Sequence, residues 1–237
     1  MFRNSELEMI NMFLSDFVYS LREQNKMRKF KRLIRQGVEK CEPRFRCITS
    51  LSEPSVPGSV EFAHISRYHF AKERISGRVL NAACGSGYGN AILAEKGAIP
   101  TGVDLFEAPL KIARDCFPVG EYHQCDAQEL ALFDDESFDS VVSFETIEHV
   151  FDAVRASVSF KRVLKEGGVF VGSIPIMVFH NPGRNFTWSL ANDFVDENFP
   201  GAEKFIQTNS EIRPHSVINW RELRDNGDKY LIWVWRK

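Results

Sequence analysis

No stretch of about eighteen apolar residues occurs in the 237-residue chain, so no membrane-spanning helix is expected. Cysteine is sparse. The five residues, Cys41, Cys47, Cys84, Cys116 and Cys125, include no CxxC pair, which argues against a zinc knuckle. An odd, scattered set suits a reducing, cytoplasmic compartment. Net charge is only −2, so the chain as a whole lacks the basic excess of a nucleic-acid binder. The opening "MFRNSELEMINMFLSDF" carries acids and no small-residue cleavage site, so no signal peptide is expected. Repeats and low-complexity tracts are absent too. What remains is a length suited to one α/β domain with a short appendage.

The charge that is present is unevenly placed. Between Leu21 and Cys47 there are ten Lys and Arg against three Glu. Apolar residues Met9, Met12, Phe13, Phe17 and Leu21, then Phe30, Leu33, Ile34 and Val38, recur near a 3.6-residue period, which predicts helix from Ser5 to about Lys40. Residues 1–55 are therefore read as a basic helical extension. It would dock on RNA or an anionic surface, or lie over the domain as a solvated helical face. Pro54, Pro57 and Gly58 punctuate, and 56–237 is read as the main domain.

From Glu61 to Ser76 the pattern is helical, and strands then alternate with helices. Strands are expected at "RVLNAAC", "IPTGVDL", "EYHQCDA", "FDSVVSFE" and "GVFVGSIP". Helices are expected at 89–97, 108–116 and 153–165. This alternation implies a parallel sheet covered on both faces. Two late β-rich runs, "KFIQTNSEI" and "KYLIWVWRK", predict an antiparallel edge. The fold class is thus Rossmann-like, doubly wound α/β with a mostly parallel seven-stranded sheet.

In "RVLNAACGSGYGNAILAEKGA" the turn after the first strand holds Gly85, Gly87 and Gly89. Glycines here let a ligand approach bare backbone. The spacing is GxGxG rather than the GxGxxG of dinucleotide binders, which argues against a nicotinamide-dependent oxidoreductase. Asp104, at the end of the second strand, is placed to accept hydrogen bonds from ribose hydroxyls. An adenosine-bearing ligand is expected.

In order and spacing, "VLNAACGSGYG", "GVDLFEAPLKIA", "CDAQEL", "FDSVVSFETIEHV" and "RVLKEGGVFVGSIP" resemble the successive motifs of class I S-adenosylmethionine-dependent methyltransferases. "VPGSVEFAHISRYHFA" is similar to the lead-in of a subgroup acting on saccharides and natural products. The resemblance implies S-adenosyl-L-methionine as cofactor and a small-molecule or saccharide acceptor. It places Ala83, Gly85 and Gly87 under the methionine part, and Asp104 with Leu105 at the ribose. Asp126 and Ala127 fall at the adenine, and Phe144 and Glu145 beside the methyl group. Tyr68 and Arg67 fall near the cofactor's carboxylate. Where the family usually has an acid that orients the amino group, this chain has Asn81, which offers a carbonyl but no charge.

Methyl transfer from a sulfonium needs alignment, and a hydroxyl acceptor benefits from a base. His149 is the candidate base, with Glu145 beside it. The "ETIEH" spacing would bring Glu145, Glu148 and His149 onto one face if a helix starts directly after the fourth strand. Such a set suits Mg²⁺ or Mn²⁺. It resembles the pattern in ubiquinone-pathway O-methyltransferases and in small-RNA 3′-terminal 2′-O-methyltransferases, with His180 as the fourth ligand. Three readings stay open: O-methylation of a small molecule or saccharide, metal-dependent RNA 2′-O-methylation, and a non-catalytic cofactor-binding module.

Overall fold

In β1, Arg78–Ala82, neighbouring residues go to opposite cores: Val79 packs on one face of the sheet and Leu80 on the other. β4, Phe138–Phe144, repeats this with Val141 and Val142. Strands apolar on both sides belong at the centre of a sheet with helices on each face. The computed structural model describes residue 51 and residues 60–177, 186–208, 211–217 and 229–237. The predicted helix over 5–40, the basic 21–47 segment and His180 lie outside these residues.

The remaining strands are β2 (Ile99–Asp104), β3 (Glu121–Gln124), β5 (Leu164–Met177), β6 (Phe186–Thr187), β7 (Glu203–Thr208), β8 (Glu211–Pro214) and β9 (Lys229–Arg236). They form one sheet in the order β3-β2-β1-β4-β5-β9-β7-β8, with β6 paired to β5 off this path. β3 to β5 run parallel, whereas β9 is antiparallel to both β5 and β7. The expected mostly parallel sheet with an antiparallel edge is what forms. The seven strands from β3 to β7 make up its body, and short β6 and β8 extend it. The run read as "KFIQTNSEI" is itself a β7–β8 pair, and β9 inserts between β5 and β7 rather than closing the edge. Its "KYLIWVW" is apolar enough to be covered on both faces.

Helices α1 (Val60–Lys72) and α2 (Tyr88–Ala94) cover one face through Tyr68, Ala71, Tyr88, Ile92 and Leu93. On the other, α4 (Ala153–Val163) and α5 (Trp188–Asn198) bury Ala156, Phe160, Ala191 and Val195, with Phe199 just past the end of α5. α3 (Glu107–Cys116) closes a smaller cluster of Leu110, Ala113, Cys84 and Tyr122. Phe170 stacks on Phe199 at 4.7 Å, and Trp233 lies against both rings. Phe194 joins this cluster. β1 leads outward to β2 and β3 in one direction, while β4 and β5 lie in the other. The crevice above the carboxyl ends of β1 and β4 is therefore the topological switch point, where open α/β sheets bind ligands.

Candidate active site

Past β1 the chain turns sharply: Ala83, Gly85 and Gly87 all have positive φ, at 60°, 54° and 82°. The three glycines of this turn serve different ends. A Cβ on Gly89 would overlap the Tyr68 ring, and one on Gly87 would sit 2.5 Å from Ala113 Cβ. Both are there for packing. A Cβ on Gly85 would meet nothing within 4 Å among the described residues. Its backbone faces open space, and its N–H donates to Asp104 Oδ2 at 3.0 Å. Asp104 Oδ1 accepts from Phe106 N at 3.1 Å. Burial pushes the Asp104 carboxyl up, and the backbone donors partly offset this. The Leu105 carbonyl accepts from Gln124 Nε2 at 2.9 Å.

On the far side of Asp104 lie Asp126 and Ala127, in the turn after β3. Asp126 Oδ1 accepts from Gln128 N at 2.8 Å, and Gln128 Nε2 stands 3.1 Å from each carboxylate oxygen. Gln128 Oε1 in turn accepts from Asp152 N at 2.7 Å. Gln128, which sequence reasoning passed over, thus ties the Asp126 turn to the start of α4. The only signal for it was a Gln two places after an Asp, a spacing that permits an Asx turn.

Asn81 is fully buried, and both ends of its amide are engaged. Tyr68 Oη donates to Oδ1 at 3.2 Å, and Nδ2 donates to Asn90 Oδ1 at 2.9 Å. Tyr68 is part of the core: its ring meets those of Tyr88 and Phe144 edge-on at 5.3 and 5.0 Å. The neighbouring Arg67 is 0 % exposed. Its guanidinium lies 4.0 Å over the Tyr230 ring, and Nη1 donates to Gln207 Oε1 at 2.7 Å. Among the described residues Nε and Nη2 have no hydrogen-bond partner, although burying such donors unpaired is costly. Neither Gln207 nor Tyr230 was distinguishable from ordinary strand residues in the sequence.

The turn after β4 departs from expectation. α4 starts at Ala153, where Asp152 caps it by accepting from Arg155 N at 2.9 Å. Glu145 has φ +53°, which no right-handed helix accommodates. Ile147 drops into the core, so Glu148 turns inward and His149 outward. Their side chains are 2 % and 72 % exposed, with Oε1 and Nε2 3.8 Å apart. The single helical face expected for Glu145, Glu148 and His149 does not form. Among the described residues no three His, Cys, Asp or Glu side chains gather as metal ligands, and the Mg²⁺ or Mn²⁺ expectation finds no support.

Burial, reinforced by the nearby Glu145 charge, raises the Glu148 carboxyl well above its ordinary range. The folded protein then holds a proton that the unfolded chain releases near the usual carboxylate value. Stability contributed by that proton is present at low pH and lost as pH rises through the folded-state value. Glu148→Gln should therefore melt higher than wild type at neutral pH, with the two curves converging on acidification. A pH-independent gap in thermal melts would contradict this.

A family model described as "Methyltransferase domain" matches residues 80–172. A "Ubiquinone biosynthesis O-methyltransferase" from Pseudomonas entomophila is 36 % identical over 171 residues, covering 67 % of this chain and 72 % of the relative. The chain belongs to the class I S-adenosylmethionine-dependent methyltransferases. A "Probable S-adenosylmethionine-dependent methyltransferase" from Mycolicibacterium smegmatis is 35 % identical over 139 residues, covering 56 % of this chain and 54 % of the relative. The chain thus spans about half the length of the first curated relatives it matches. The solved structure of the [4+2]-cyclase SpnF superposes with a TM-score of 0.57 at 17 % identity, covering 74 % of this chain and 81 % of that one. That likeness is one of fold alone. The segments that carry the sequence resemblance fall on the glycine turn after β1 and just past the carboxyl ends of β2, β3 and β4. No helix among the described residues is long and apolar enough to cross a membrane.

Proposed function

We propose that the protein transfers a methyl group from S-adenosylmethionine to a hydroxyl of a small molecule or saccharide. The observation that carries this is the pairing of Gly85, whose backbone faces open space, with the buried carboxylate of Asp104 hydrogen-bonded to it. Asp104, beside Leu105, takes the two ribose hydroxyls. Asp126 and the Ala127 backbone take the adenine edge. Ala83 and Gly87 shape the turn, and Tyr68 packs it against α1. The unpartnered donors of Arg67 suit the cofactor's carboxylate, which is the fit this site offers to the methionine half.

The cofactor, when bound, supplies an electrophilic methyl group. The chain's own contribution is to orient and to exclude water; positioning alone supplies roughly 7–11 kcal/mol in favourable cases. Phe144 and Glu145 border the place where an acceptor must lie. His149, with its imidazole outside the core, takes the acceptor proton. The hydroxyl is favoured because relatives over 30 % identical are named as O-methyltransferases.

Asn81 favours one competing reading, a cofactor-binding module without transfer, since it brings no charge to the site. Tritiated S-adenosylmethionine offered with sugar nucleotides, glycans, phenols and short RNAs, with and without chelator, separates the readings. The expected result is label in a base-stable ether on a phenol or sugar, unchanged by chelator. Label confined to RNA, or lost with chelator, would replace this reading by the metal-dependent RNA one. Binding without any transfer would favour the module.

A further inference from the structure

A carboxylate in a turn discriminates between ligands only if something fixes its direction. The turn that carries Asp126 is tied to the end of β2: Cys125 N donates to the Asp104 carbonyl at 2.9 Å. The Asp126 side chain is held by Gln128. Gln128 N donates to Asp126 Oδ1 at 2.8 Å, and Nε2 donates to Oδ1 and Oδ2 at 3.1 Å each. At the other end of the same amide, Oε1 accepts from Asp152 N at 2.7 Å.

The two neighbours dictate the side chain between them. An ionised Asp126 only accepts, and the Asp152 N–H only donates, so a primary amide meets both where a carboxylate would repel Asp126. The anchor is rigid. Asp152 is the N-cap of α4, Ser159 of the same helix donates to the Gln128 carbonyl at 2.7 Å, and α4 is seated in the core by Ala156 and Phe160. Arg162, also on α4, donates from Nη2 to the Leu130 carbonyl at 3.0 Å and so holds the far end of the turn. The bonds also distinguish the two oxygens of Asp126. Among the described residues Oδ1 accepts two N–H groups, which fills it, whereas Oδ2 accepts one and keeps a lone pair for a further donor.

Resting on the cofactor reading above, we infer that Gln128 is the positioning residue for adenine specificity: it fixes Asp126 so that Oδ2 receives the exocyclic amino group, and it takes its own bearing from α4. Gln128 acts through Asp126 and not on the ligand. Adenine recognition at the end of β3 is thereby referenced to the helix that follows β4.

Calorimetry on the full chain with two probes tests this: S-adenosylhomocysteine, and its purine analogue with hydrogen in place of the exocyclic amino group. Wild type should prefer S-adenosylhomocysteine by about tenfold to a hundredfold, the range of one charge-assisted hydrogen bond. Gln128→Leu removes both arms of the amide. Gln128→Glu keeps an acceptor for Asp152 N and turns only the arm facing Asp126 from donor to acceptor, and it serves if the first variant does not fold. Each should erase most of the preference while changing affinity for the analogue far less. In an Asp126→Ala background, Gln128→Leu should have no further effect on the preference. A preference that survives in either folded variant overturns the inference. Equal weakening of both probes, or failure of both variants to fold, marks a structural role and overturns it too. Wild-type protein that binds the two probes equally removes the Asp126 assignment at adenine, and wild-type protein that binds neither overturns the cofactor reading itself.

Discussion

Asp104→Ala loses S-adenosylhomocysteine affinity by at least about a hundredfold in a calorimetric titration, the largest loss expected of any crevice side chain. Two charge-assisted hydrogen bonds to the ribose vanish, each worth about 1.5–3 kcal/mol. Gly85 N and Phe106 N lose their acceptor at the same time. The variant should also be distinguishable by pH. Burial raises the wild-type carboxyl, so the ionised form that accepts from ribose begins to be lost above the ordinary carboxylate range as pH falls. Wild-type affinity should therefore weaken on mild acidification, whereas the residual affinity of Asp104→Ala should lack that component. Wild-type binding by the alanine variant removes the ribose assignment.

The second large effect separates the three glycines. Gly89→Ala should fold poorly, because the added methyl would overlap the Tyr68 ring that anchors α1. Overpacking of this kind costs typically 1–3 kcal/mol and more where the neighbour is fixed. Gly87→Ala combines a positive φ with a clash on Ala113 and should be comparably destabilised. Gly85→Ala meets no neighbour among the described residues and bears only the left-handed backbone cost of about 1–2 kcal/mol. It should fold with a modestly lower Tm and yet lose most of its S-adenosylhomocysteine affinity, since its methyl occupies the ligand's space. Thermal melts paired with calorimetry read both quantities. Undiminished ligand affinity in Gly85→Ala would mean that the open space is not the cofactor's.

The sequence carried the sheet's body because each parallel strand is an apolar run bounded by a turn and followed by a helix. It carried Gly85 and Asp104 because the spacing between a glycine turn and the next strand's end is set by the βαβ unit. It failed where long-range pairing decides. Nothing local says that β9 threads between β5 and β7, because "KYLIWVWRK" reads the same at an edge as inside. The "ETIEH" segment misled for a related reason: its i, i+3, i+4 spacing acts only in a helix, and the burial of Ile147 and the left-handed Glu145 break that helix before it forms. Arg67 was found beside Tyr68, but its partners Gln207 and Tyr230 come from more than a hundred residues away and left no mark in the local pattern.

The most direct measurement is a crystal structure with S-adenosylhomocysteine. The ribose hydroxyls should lie within hydrogen-bond distance of both Asp104 carboxylate oxygens, with the homocysteine chain passing over Gly85. Nucleoside density elsewhere, or a crevice that stays closed at saturating ligand, would contradict the account.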